Sequence, residues 1–123
     1  MNENIKPIIE VRLDLAQSAG CDAVEPDNVD GYINTDETKG IITYDDQLNY
    51  NKWLANAAHS RGLSIGLKND VDQLNELIND FDFAVNEQCY AYGNECVSYE
   101  DTFLKNNKAV FVQEYYEDGS EGE

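Results

Sequence analysis

Cys21-Asp-Ala-Val-Glu-Pro-Asp-Asn-Val-Asp-Gly-Tyr32 joins a short apolar run to four carboxylates, an amide and a tyrosine. Parallel strands of α/β proteins end in this way. Their carboxyl ends open onto a shared crevice, and the chemistry is built there. The pattern predicts a strand over residues 21–25, with Cys21 as a small buried hydrophobe at its start. A second ending of the same kind, Phe83-Ala-Val-Asn-Glu-Gln-Cys-Tyr90, lies downstream. Together they point to a pair of carboxylates on one sheet.

The chain on either side alternates between helical and strand patterns. Pro7 suits a first helical turn, and Ile8, Val11, Leu15 and Ala19 recur at helical spacing before Gly20. Residues 26–42 read as a polar loop. Thr43-Tyr-Asp-Asp46 has the spacing of a capping box and opens a helix whose apolar face carries Leu48, Trp53, Leu54, Ala57 and Ala58. That helix stops near Gly62. Leu63 to Leu67 is the next strand and ends polar at Lys68-Asn-Asp70, where Asp70 can cap a short helix bearing Val71, Leu74, Leu77 and Ile78. Phe83 to Val85 is the third strand. Ser98-Tyr-Glu-Asp101 starts a helix with Phe103 and Leu104, and Ala109 to Val112 is the last strand.

Repeated strand–helix units imply a parallel sheet with crossovers of one hand, which places the helices on one face. A parallel sheet is normally covered on both faces, so the other face calls for a partner from outside these units. Strand parity sharpens the point, because successive side chains alternate faces. If Val24, Ile65 and Leu67 face the helices, then Glu25, Asp27, Lys68 and Glu87 point the other way. Polar groups at strand tops, aimed inward, are what a (β/α)8 active site looks like.

Lys and Arg total 8 against 25 Asp and Glu, a net charge of −17. Nucleic acid is excluded as an expected partner, since phosphate binding needs a basic footprint. An acidic field instead draws cations or a polycationic substrate. No apolar run is long enough to span a membrane, and Met1-Asn-Glu-Asn shows no signal-peptide pattern. Residues 117–123 read as an acidic tail beyond a single folded unit of residues 1–116. Cys89 and Cys96 flank a loop-like hexapeptide, and a disulfide there would imply an oxidising compartment.

Three segments resemble the signature of glycoside hydrolase family 114. They are Cys21 to Tyr32, Ala58-His-Ser-Arg-Gly-Leu-Ser-Ile-Gly-Leu-Lys-Asn-Asp70, and Phe81-Asp-Phe-Ala-Val-Asn-Glu-Gln-Cys89. The match runs from about Leu13 to Tyr115. The resemblance implies endo-α-1,4-polygalactosaminidase activity, secretion, and strands four to seven of a (β/α)8 barrel, about half of the ring. The family's strand-seven ending, Phe-His-Val-Glu-Tyr, is here Phe111-Val-Gln-Glu-Tyr115, so no histidine role carries over.

Glycosidases of this kind need two carboxyl groups and no cofactor, one to hold a proton and one to stay ionised. The resemblance implies an aspartate after strand four and a glutamate after strand six. Asp27 is the candidate ionised group, with Asp30 and then Glu25 as rivals, and Glu87 is the candidate acid/base. The strand endings supply candidate substrate contacts: Glu25, Asn28 and Tyr32; Lys68, Asn69 and Asp70; Gln88; Glu114 and Tyr115. Tyr90 and Tyr92 are candidate stacking surfaces for sugar rings. His59, the only histidine, lies on a helix away from the strand ends. Two other readings stay open: a divalent-metal site formed by Asp22, Glu25, Asp27 and Asp30, and a carbohydrate-binding module without catalysis.

Overall fold

In the computed structural model, residues 5–33, 40–93 and 95–115 are described. The expected acidic tail at 117–123 lies outside them. Helix α1, Lys6–Ser18, has Pro7 in its first turn. Strand β1 covers only Ala23–Val24 and leads to a 3-10 turn at Gly31–Ile33. Helix α2, Tyr44–His59, starts at the expected capping box. Thr43 Oγ1 accepts from the Asp46 N–H at 3.1 Å, and the Asp46 carboxylate accepts from the Thr43 N–H at 3.2 Å. Past its end, Gly62 turns the chain at φ +72°, a conformation glycine takes without steric cost.

Strand β2, Ser64–Lys68, is followed by a 3-10 turn, Val71–Gln73, and the single-turn helix α3, Leu74–Leu77. Strand β3 is Phe83–Glu87 and helix α4 is Glu95–Glu100. Strand β4, Val110–Gln113, completes the sheet. The order is β1-β2-β3-β4, and every pair is parallel. Consecutive parallel strands with their crossovers on one side form a contiguous arc of a (β/α)8 ring.

The core lies between this sheet and its helices. Leu54 and Ala58 of α2 pack with Leu63, Ile65, Leu67, Leu77, Phe81, Ala84 and Phe103, all 2% exposed or less. Burying each large apolar side chain contributes about 1.5–3 kcal/mol. The opposite face is open. Phe111 remains 58% exposed, with its ring edge-on to Phe83 at 5.9 Å. On this face a Cβ on Gly66 would stand 2.2 Å from the Phe83 ring. Gly66→Ala is therefore expected to push that ring off the strand and lower stability by about 1 kcal/mol, read from the urea midpoint. An unshifted midpoint would mean that the contact contributes nothing.

Four local expectations are corrected. The face of α1 that buries is Ile9, Leu13 and Ala16, whereas Ile8, Val11 and Leu15 stand 60%, 67% and 68% exposed. Both stripes have helical spacing, and only the first meets α2. Cys21 is exposed, because β1 begins after it and it sits in the turn that leaves α1. Asp70 caps nothing: it adopts the left-handed conformation (φ +57°) and no side-chain bond reaches the following turn. Helix α4 starts at Glu95, earlier than Ser98, and ends before Phe103.

Candidate active site

Parity places the inward polar groups at the carboxyl ends of the strands. Lys68, the last residue of β2, points its ammonium at Glu25 (3.4 Å), Asp27 (3.7 Å) and Glu87 (3.7 Å). Burial alone pulls that ammonium's pKa down, but the surrounding carboxylates outweigh it and hold the pKa above its usual value. One cation thus gathers groups from β1, β2 and β3.

Each strand then leaves through residues in the left-handed region. Asn28 follows β1, Asn69 and Asp70 follow β2, and Gln88 follows β3, at φ between +55° and +67°. Such conformations cost energy in residues other than glycine, and they cluster where side chains must be aimed. Asn69 is aimed at Glu87. Its Nδ2 donates to Glu87 Oε1 at 3.3 Å, and its Oδ1 accepts from the Glu87 N–H at 2.9 Å. The Tyr115 hydroxyl donates to Glu87 Oε2 at 2.6 Å. That bond, Lys68 and Asn69 prevail over burial and the Asp27 charge, so the Glu87 carboxyl is held below the ordinary glutamate range.

Asp30 has the opposite environment. Burial raises its pKa, and the Asp27 and Glu87 charges add to the rise, while backbone N–H groups of Asp30 and Asp70 oppose it. Asp30 and Glu87 line one cleft of about 350 Å³, together with Tyr32, Asn69, Asp70, Gln88 and Tyr92. Asp72 and Glu95 add further acid to its wall. Glu25, Asp27 and Asn28 do not line it. They border a neighbouring hollow of about 670 Å³ beside α1, with Arg12. Of the three carboxylates that follow β1, Asp30 is the one that shares the cleft with Glu87.

Tyr115, Lys68 and Asn69 favour the charged form of Glu87 in the free protein. Burial raises the pKa of half-buried Asp30, and it raises that of Asp70, in the same cleft, to about 7.

The other candidates are accounted for individually. Glu114 Oε1 accepts from the Tyr90 N–H at 2.7 Å and braces the loop after β3, away from the cleft lining. Tyr90 is exposed. Cys89 and Cys96 are bonded, with Cα atoms 5.0 Å apart, and the bridge tethers α4 to the end of β3. His59 is exposed at the end of α2 and pairs with Asp82 at 2.8 Å. Among the described residues, no group of three or more carboxylate, histidine or cysteine side chains is arranged to hold a metal ion.

Gln47 and Asn51 belong to the site although no motif singles them out. Both are buried, at 2% and 0% exposure, on the core side of α2. Asn51 Nδ2 donates to Asp70 Oδ2 and to the Val29 carbonyl, each at 3.0 Å. Gln47 Nε2 donates to Asn51 Oδ1 at 2.9 Å, and Gln47 Oε1 accepts from the Gly31 N–H at 3.1 Å. Their signal in the sequence is two amides four residues apart on the stripe that also holds Tyr50, Leu54 and Ala58.

A family profile described as "Glycoside-hydrolase family GH114" matches residues 1–123. Among solved structures, the chain is similar to that of "Crystal Structure of Aspergillus fumigatus Ega3 complex with galactosamine". The identity is 46% and the TM-score 0.84, over 93% of this chain and 44% of that one. The chain therefore spans less than half the length of that relative. No curated protein matches it.

Proposed function

Because the chain belongs to glycoside hydrolase family GH114, we propose that it carries the carboxylate pair of a glycosidase acting on α-1,4-linked galactosamine polymers. The observation that carries this reading is the cleft in which Asp30 and Glu87 face one space with opposite proton affinities. Two carboxyls whose environments drive their pKa values apart divide naturally into acid and base. Ionised Glu87 supplies the nucleophile or base, and Asp30 protonates the leaving oxygen. Tyr115 and Lys68 keep Glu87 charged until the sugar enters.

The cleft wall suits the substrate. Asp72 and Glu95 place carboxylates beside the pair, and the chain carries a net charge of −17. An unacetylated galactosamine polymer is polycationic, and an acidic cleft concentrates it. That the similar Aspergillus fumigatus structure is a complex with galactosamine supports the same choice. The disulfide supports a secreted protein, since such bridges persist in oxidising compartments. No helix among the described residues is long and apolar enough to cross a membrane.

Calorimetric titration with α-1,4-galactosamine oligomers tests the substrate class. Binding is expected to weaken at least about tenfold between 50 and 500 mM salt, since screening shortens the reach of exposed charges. N-acetylated oligomers are expected to bind more weakly at low salt. Equal affinity for both, or no salt effect, would remove the cationic substrate. A second reading, a binding module without turnover, is supported by the coverage, since the chain spans only 44% of the similar chain.

A further inference from the structure

Asp70, expected to cap a helix or touch substrate, is only 2% exposed, and both its carboxylate oxygens are engaged. Oδ1 accepts from the Tyr32 hydroxyl at 2.9 Å, and Oδ2 accepts from Asn51 Nδ2 at 3.0 Å. Buried carboxylates are costly to keep, and each bond to them is stronger than one between neutral groups. What these bonds hold is specific. Asn51 also grips the Val29 carbonyl, and Gln47, tied to Asn51, grips the Gly31 N–H. Val29, Gly31 and Tyr32 are the residues on either side of Asp30.

We propose that Asp70 is a positioning residue for Asp30: its buried carboxylate closes the hydrogen-bond chain that fixes the loop on both sides of Asp30 over the cleft. The assignment rests on the two-carboxylate reading of that cleft and names what holds one member in place. Two further features agree. The Asp70 backbone N–H is also among the groups that pull the Asp30 pKa down, so Asp70 acts on Asp30 from the end of β2 as well. The left-handed backbone at Asn69 and Asp70 aims one side chain at Glu87 and the next at the Asp30 loop. Adjacent residues of one strand end thereby set the spacing of both carboxyls.

Residue-resolved amide exchange and carboxyl titration by NMR, on the full chain, test this. An asparagine at position 70 has one acceptor oxygen, so it cannot accept from both the Tyr32 hydroxyl and Asn51 Nδ2. In Asp70→Asn, exchange at Gly31 is expected to quicken at least ~10-fold while Ala84, in β3, stays within ~2-fold. Tyr32→Phe removes one hydroxyl and keeps both oxygens of the Asp70 carboxyl. There the Asp30 titration is expected to move toward the ordinary aspartate value, with that of Glu87 unmoved. A purely global loss of stability would raise exchange at both amides together. Unchanged Gly31 protection and an unchanged Asp30 titration in the folded variants would overturn the role. Should Asp70→Asn not fold, Tyr32→Phe decides. If the wild-type chain binds no galactosamine oligomer, the substrate is wrong, but these exchange rates still report on Asp70.

Discussion

Glu87→Gln is expected to cut hydrolysis of an α-1,4-galactosamine polymer by about 10³-fold or more, in the range lost when a positioned carboxyl of a glycosidase is removed. The chain spans 44% of the similar Aspergillus fumigatus chain, so activity is read on a scaffold of that chain's whole length. A chimaera in which this chain replaces the matching 44% of the Aspergillus fumigatus chain supplies it. Glutamine keeps the size of the side chain and can still accept from the Tyr115 hydroxyl. The loss would then be of charge rather than of packing. Asp30→Asn separates the roles. An activated aryl galactosaminide needs little protonation of its leaving group. That substrate should restore much of the rate to Asp30→Asn and almost none to Glu87→Gln. The reverse pattern would return Glu87 to the acid role, with Asp27 or Asp30 as the ionised partner.

Stability is expected to fall as pH rises from 3.8 to about 7, through Asp70. Its carboxyl is raised from 3.8 to about 7, chiefly by burial, with the Asp30 and Asp72 charges adding and the Tyr32 and Asn51 bonds opposing. Tyr44 and Tyr99 also face it. A raised acid holds its proton more tightly in the folded chain. Its contribution is therefore complete below 3.8 and is lost as pH climbs to about 7. The full span amounts to roughly 4 kcal/mol at 1.36 kcal/mol per pKa unit. Urea midpoints of the wild type should drop across this window, and those of Asp70→Asn should change less. Glu95, also raised but not coupled to Asp70, remains in both proteins and cancels in the difference, whereas Asp30 is coupled to Asp70 and shifts with it. Parallel pH profiles would contradict the burial of a charged Asp70.

The parts of the site that follow from strand alternation are legible in the sequence. Covalent geometry fixes a two-residue period, so alternation alone places Glu25, Asp27, Lys68 and Glu87 on one face, and Lys68 does touch all three acids. Proximity to one cation does not say which aspartate enters the cleft. That depends on the left-handed turn at Asn28, which no periodicity reports. The same holds at Asp70, where a residue that often caps helices instead turns inward to meet Tyr32. Gln47 and Asn51 stay hidden because an amide on an apolar helix stripe reads as a tolerated exception. Helix α1 shows the opposite limit. It has two apolar stripes, and which one is buried is set by the position of α2 rather than by α1 itself.

The most direct measurement is the release of reducing ends from unacetylated α-1,4-galactosamine polymer by that chimaera and by its Glu87→Gln variant. We predict hydrolysis by the first and a loss of about 10³-fold or more in the second. Activity of the variant within about tenfold of its parent would contradict the placement of the reaction at the Asp30–Glu87 cleft.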